Sequence, residues 1–218
     1  MDWTKSEFLN EEELEALLMD MGVTKEQLTR DLQESLTLEP RPCNIKSCVL
    51  QKNGREYTVY AEDVQAPDKA IRITEWLNTI SIEELMSFWE DREERNKIKA
   101  LMRYPGGQHE WLMLAAIPML KVMEIPMKAI LCYRTPTGEC FFYVNGERCQ
   151  HGGEGSPAMH EDLFAAIGAA YMDLVRRRVH HRNHVLQERL QEFARQYYCD
   201  SSGGFMDMPK ALKTLIGM

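Results

Sequence analysis

The stretch ERCQHGGEGSPAMHE, residues 147–161, passes from an extended pattern into a helical one within a few residues, and that passage sets the fold class. Glu147 to Gln150 reads as a strand that delivers His151 into the turn Gly152-Gly153-Glu154-Gly155. Ser156 follows as a helix N-cap with Pro157 at the first helical position. The helical pattern then runs from Pro157 to about Tyr198, with a bend expected near Gly168 or around His180 to His184. Upstream, Glu139 to Val144 reads as a strand joined to residues 147–150 by Asn145-Gly146, a strong hairpin signal. Ile130 to Tyr133 reads as another strand, joined to it across Thr135-Pro136-Thr137-Gly138. These residues predict a small antiparallel sheet packed against a long C-terminal helix.

Working further outward, Pro105-Gly106-Gly107 is the clearest break in the chain and suggests two regions, 1–100 and 101–218. After the break, His109 to Met119 is apolar and reads as a helix, closed or kinked at Ile117-Pro118. The first region predicts a helix over 6–20, capped by Ser6 or Asn10 and ended by Gly22. A second helix runs from Thr24 to about Ser35, with Thr24 and Gln27 forming a capping box. Strands Ser47 to Lys52 and Glu56 to Ala61 form a hairpin at Asn53-Gly54. Ile71 to Leu77 fits a strand or a helix start. Ser81 to Ala100 reads as one helix, capped by Ser81 with Glu84, whose charged end EDREERNKIK reads as a solvated face. A short helix over Pro209 to Ile216 ends the chain. The whole is α+β: a helical N-terminal part with one β-hairpin, then the small sheet and the long helix.

The net charge of −8 is uneven. Residues 1–100 carry 13 basic against 22 acidic side chains, and residues 101–218 carry 13 against 12. The acidic first region argues against non-specific coating of nucleic acid by the whole chain and fits a basic protein partner. No apolar run reaches the ~20 residues of a membrane span. The acidic start MDWTKSEFLNEEE is not a secretory signal, so a cytoplasmic location is expected, or export as an effector without a cleavable signal. The six cysteines contain no CxxC pair and read as reduced thiols.

The chemistry concentrates in residues 105–161. The turn Gly152, Gly153, Gly155, Ser156 at a helix N-terminus aims backbone N–H groups at one spot, which suits a phosphate. It is neither a Walker A loop, lacking the lysine, nor a GxGxxG fingerprint. His151 and His160 flank it. With His109, Glu110 and Arg134 they make an inventory for acid–base chemistry: one imidazole as base, one as acid, a guanidinium for the anion. That inventory needs no metal or other cofactor. The plainer reading is a tight turn with surface histidines. A Cys149–His151 pair ranks below these, because neighbours on one strand face point in parallel. His180 and His184 share a helix face and form a weaker, metal-binding alternative, set against a plain basic helix.

The ordered set Pro105-Gly-Gly-Gln-His109-Glu110-Trp111, then Tyr133-Arg134-Thr135, then His151-Gly-Gly-Glu-Gly-Ser156 with His160-Glu161 resembles a C-terminal module of bacterial polymorphic toxins of the Rhs type. The resemblance covers roughly residues 102–171. It implies a toxin-like nuclease, with His109, Glu110, Arg134, His151, His160 and Glu161 as the positions carried over. Two features depart from that pattern: the chain is acidic, and a helical, hairpin-bearing region precedes the module. The resulting expectation is a metal-independent nuclease acting on RNA rather than DNA. The alternative is a non-catalytic immunity or adaptor protein whose acidic first region holds a basic partner.

Overall fold

A computed structural model describes residues 7–35, 44–176 and 182–218. Two capped helices open the chain. The first, α1 (Glu11–Asp20), starts at Asn10, whose side chain accepts from Glu13 N–H while the Glu13 carboxylate accepts from Asn10 N–H. Its end is turned by Gly22 at φ +61°, a conformation that favours glycine. The second, α2 (Lys25–Ser35), carries the reciprocal Thr24–Gln27 capping box. The hairpin follows as β1 (Ser47–Lys52) and β2 (Arg55–Tyr60), turned by Asn53 and Gly54, both at positive φ. Residues 71–79 resolve the ambiguous segment as both elements at once. Ile71–Arg72 is β3, paired parallel to β2, and Ile73–Thr79 is α3.

The predicted single helix over 81–100 is two. Ser81 caps α4 (Ile82–Glu90), and Asp91 breaks the chain and caps α5 (Arg92–Arg103) by accepting from Glu93 and Glu94 N–H. Glu84 does not close a capping box. Its carboxylate accepts from the Tyr57 hydroxyl and pairs with Arg55. The charged stretch is not a solvated face either. Lys97 does make the expected i,i+4 pair with Glu93, but Glu94, Arg95 and Lys99 are buried. Helix α5 spans residues 92–103, across the expected division at 100/101.

Beyond the glycine turn, His109 starts no helix. Gln108–Glu110 is β4, followed by a 3-10 turn at Leu114–Ala116 and α6 (Ile117–Val122). Pro118 lies in the first turn of α6, where its missing N–H costs nothing, so it starts a helix rather than closing one. The expected strand 130–133 is helical, α7 (Lys128–Cys132), and the strand comes one residue later as β5 (Arg134–Pro136). The sheet of the second half is therefore two separate antiparallel ribbons. In one, β4 pairs with β5. In the other, β6 (Phe141–Val144) pairs with β7 (Glu147–Gln150) across Asn145-Gly146. The remaining helices are α8 (Ser156–Arg176), α9 (Arg182–Tyr198) and α10 (Lys210–Leu215).

Helix α8 is the axis of the molecule. Nearly every residue from Met159 to Asp173 is buried, with α1, α2, α6 and α9 packed around it. Its small residues Ala165, Ala166, Gly168, Ala169 and Ala170 let neighbours approach from all sides. The helix runs unbroken through Gly168. A Cβ there would lie 2.6 Å from Leu17 Cδ2 and 2.9 Å from Leu9 Cδ1, so glycine admits α1 against α8. One hydrophobic cluster runs from Leu9 to Ile216 through both halves of the chain. No helix among the described residues is long and apolar enough to cross a membrane.

Candidate metal centre

Three elements bring three histidines to one point. His109 is the middle residue of β4, opposite Thr135 of β5. Gly106 and Gly107, at φ +92° and +72°, turn the chain sharply into that strand. The ring of His109 stands edge-on to Trp111, 4.4 Å between centroids, and Trp111 is fixed by donating Nε1–H to Thr135 Oγ1. His151 sits where β7 gives way to the glycine turn, with its N–H bonded to the Cys140 carbonyl. His160 lies one turn into α8. Ring centroids are 4.9 Å apart for His109 and His151, 5.1 Å for His109 and His160, and 5.0 Å for His151 and His160. One ligand nitrogen from each falls within 4.8 Å of the others.

The rings are interior groups. Exposure is 5 % for His109, 2 % for His151 and 0 % for His160. Burial disfavours the charged imidazolium. It holds His109 well below the ordinary histidine range, lowers His151 to about 4 and lowers His160 to about 3. The mutual repulsion of the rings adds to the effect at His109 and His160. All three are neutral at pH 7.

Tautomers follow from the partners. His160 Nδ1 lies 2.9 Å from the Ser156 carbonyl oxygen, which can only accept, so Nδ1 carries the proton and Nε2 presents a bare lone pair. His151 Nε2 is 3.2 Å from that lone pair. Two buried nitrogens then have no hydrogen-bond partner among the described residues: His109 Nε2 and His151 Nδ1. Leaving a buried polar atom unpaired costs about 1–3 kcal/mol.

The phosphate turn takes a different form from the one expected. Ser156 is the first residue of α8, and its hydroxyl accepts from Gly152 N–H at 2.8 Å. Gly153 N–H donates to the Gln150 carbonyl and Ser156 N–H to the Gly153 carbonyl. The N–H groups of Gly152, Gly153 and Ser156 are spent within the turn, which holds His151 and His160 in place. Gly155 completes it at φ +80°, where a Cβ would meet Val144 Cγ2 at 3.0 Å.

Arg134 and Glu110 face each other across the β4–β5 ribbon. Arg134 Nη2 donates to the Met102 carbonyl, and its Nε lies 3.8 Å from Glu110 Oε1. Burial raises the Glu110 carboxyl above its ordinary range, against the pull of Arg103 and Arg134. Glu161 is buried on α8 but sits ~100° around the helix from His160. Cys149 Sγ turns to the Glu147 carbonyl oxygen. His180 lies outside the described residues, and His184 is exposed and pairs with Glu188 at 3.4 Å.

A cavity of about 20 Å³ opens against His109 and His160. Its polar lining is Glu110, Asp31, Lys99 and Arg103. The last three were missed in the sequence. The available signal was the four-residue spacing of Arg95, Lys99 and Arg103, which puts them on one face of α5 together with buried Ile98 and Met102.

Neutral buried histidines make stability pH-dependent. The fold lowers each pKa below the unfolded value near 6.5, so below that pH the unfolded chain binds more protons and gains relative to the folded one. Stability is then full above pH 7 and falls steadily as pH drops from 6.5 towards 4 and 3. The expected loss between pH 7.5 and 5 is about 2 kcal/mol each for His151 and His160, with His109 acting in the same direction. Glu110 and Asp162, raised by burial, act in the opposite sense once they protonate. Urea midpoints in EDTA at the two pH values check this, and an unchanged midpoint would show that the rings are not buried and neutral.

Comparison of the chain with protein-family models, with curated proteins and with solved structures yields no match.

Proposed function

We infer that His109, His151 and His160 hold a divalent transition metal, zinc foremost, in a centre with one coordination position left for a small ligand. The observation that carries this is the convergence of three buried, neutral imidazoles, with His109 Nε2 left unpaired beside the other two rings. A tetrahedral zinc with Zn–N bonds of about 2.0–2.1 Å sets its ligand nitrogens ~3.4 Å apart. The His151–His160 separation of 3.2 Å is close to that. The Ser156 carbonyl already fixes the tautomer in which His160 Nε2 is free, the second-layer arrangement common for metal-bound histidine. Three nitrogen ligands beside a cavity suit a catalytic site, whereas structural sites close with four. In such a centre the metal acidifies a bound water.

The acid–base nuclease expected from the sequence draws less support from the same geometry. A general acid needs a protonated imidazole near neutrality, and burial keeps these three neutral. An RNA phosphate also needs access, and the rings are enclosed. The test separates the two readings. Protein purified without chelator is assayed for metal by mass spectrometry, and for loss of RNA and plasmid DNA with and without EDTA. About one metal per chain supports the centre. Metal-free protein that takes up no added zinc or cobalt, yet degrades RNA in EDTA, would restore the metal-independent nuclease.

A further inference from the structure

Arg103 is the last residue of α5 and is only half-buried, at the edge of the cavity that His109 and His160 line. No hydrogen bond or ion pair joins its guanidinium to any described residue, although it lies near enough to Glu110 and His109 to influence both. The other charges of the cavity are matched. Lys99 Nζ lies 2.9 Å from Asp31 Oδ1, and Glu110 faces Arg134. Counting Arg95 and Arg134, which share the carboxylates of Asp31 and Glu110, cations outnumber acids around the cavity, and Arg103 is the one whose donors are unspent among the described residues. A guanidinium offers a planar fork of donors that fits a carboxylate edge-on.

We propose that this cavity binds a small carboxylate-class anion, of the size of formate or bicarbonate, with Arg103 as its counter-ion and its second end towards the open position beside His109 and His160. This rests on the metal-centre reading for the neighbouring position but not for Arg103 itself. Size sets the class. A cavity needs about 10–15 Å³ of this kind of volume to hold one water, and the 20 Å³ here leaves room for a ligand of a few atoms but not for a nucleotide. The lining supports the same conclusion. Met113, Leu114, Ala115 and Leu32 form the rest of the wall, so an anion entering from solvent would meet the free donors of Arg103 in a partly dehydrated space.

The experiment is calorimetric titration of formate and of bicarbonate into zinc-loaded and metal-free protein, with wild type, Arg103→Met and Arg103→Lys. Saturable binding to wild type, weakened at least tenfold in Arg103→Met and partly retained in Arg103→Lys, with metal content unchanged in all three, is the expected result. Binding of equal strength in Arg103→Met, or no saturable binding in either form of wild type, overturns the proposal. Failure of the metal centre shows separately, as absence of zinc before any anion is added. In that case, Arg103-dependent formate binding to the metal-free protein still decides the anion site. Circular dichroism verifies that both variants are folded.

Discussion

His160→Gln is expected to abolish zinc uptake while leaving the helical spectrum intact. Glutamine approaches histidine in volume, so α8 keeps its packing, but the lone pair aimed at His151 and His109 is gone. Losing a group that merely supports a ligand weakens metal binding by about 10–100-fold, and losing a ligand should exceed that. The stability readout is independent of activity. Zinc at 100 times its dissociation constant would stabilise wild type by about 2.7 kcal/mol through binding the folded state alone. That increment should vanish in His160→Gln and in His109→Gln, and persist in His184→Gln, whose exposed ring lies outside the cluster. Equal zinc stabilisation in wild type and His160→Gln would rule out the centre as drawn.

The second large effect concerns Asp31, the carboxylate that links α2 to α5. It faces Arg95 Nε at 3.4 Å and Lys99 Nζ at 2.9 Å. Arg95 is 1 % exposed and also donates to the Trp89 carbonyl. Asp31→Ala leaves two buried cations without their carboxylate, which costs about 3–5 kcal/mol, far more than loss of a surface ion pair. Urea denaturation measures it. Because the cost comes from uncompensated charge, Asp31→Ala combined with Lys99→Met should recover part of it. A double variant no more stable than Asp31→Ala would place the destabilisation elsewhere.

Much of the local structure was legible because it rests on near-neighbour chemistry. The Thr24–Gln27 box, the Asn10 and Ser81 caps, and the Asn53-Gly54 and Asn145-Gly146 turns are written in residues three or fewer apart. The hydroxyl or amide at a helix start, and the residue that tolerates positive φ, fix the backbone whatever packs against it. The failures share the opposite cause. Residues 111–119 are apolar throughout, so periodicity gave no sign that the helix begins only at Ile117. Ile130 and Tyr133 are β-favouring residues, but residues 130–132 fold as a turn of helix with Ile130 facing the core. On α5, the charge density of residues 91–100 suggested solvent. The approach of α2, with Asp31 on it, brings a carboxylate to the buried Arg95 and Lys99.

The candidate site divides along the same line. The sequence singled out His109, His151 and His160 because glycine turns flank two of them and an N-cap pattern precedes the third. Separations of 42 and 9 residues permitted the three to meet without requiring it. The β4–β5 ribbon, anchored by the Trp111–Thr135 bond, delivers His109. The spent N–H groups of the 152–156 turn lock His151 against the start of α8, and the Ser156 carbonyl orients His160. The sequence by itself determined the inventory, the capped helices and the hairpins, since those are decided within a few residues. Tertiary structure alone decided that the histidines are buried, neutral and convergent, because solvation and ring-to-ring distance depend on chain segments remote in sequence.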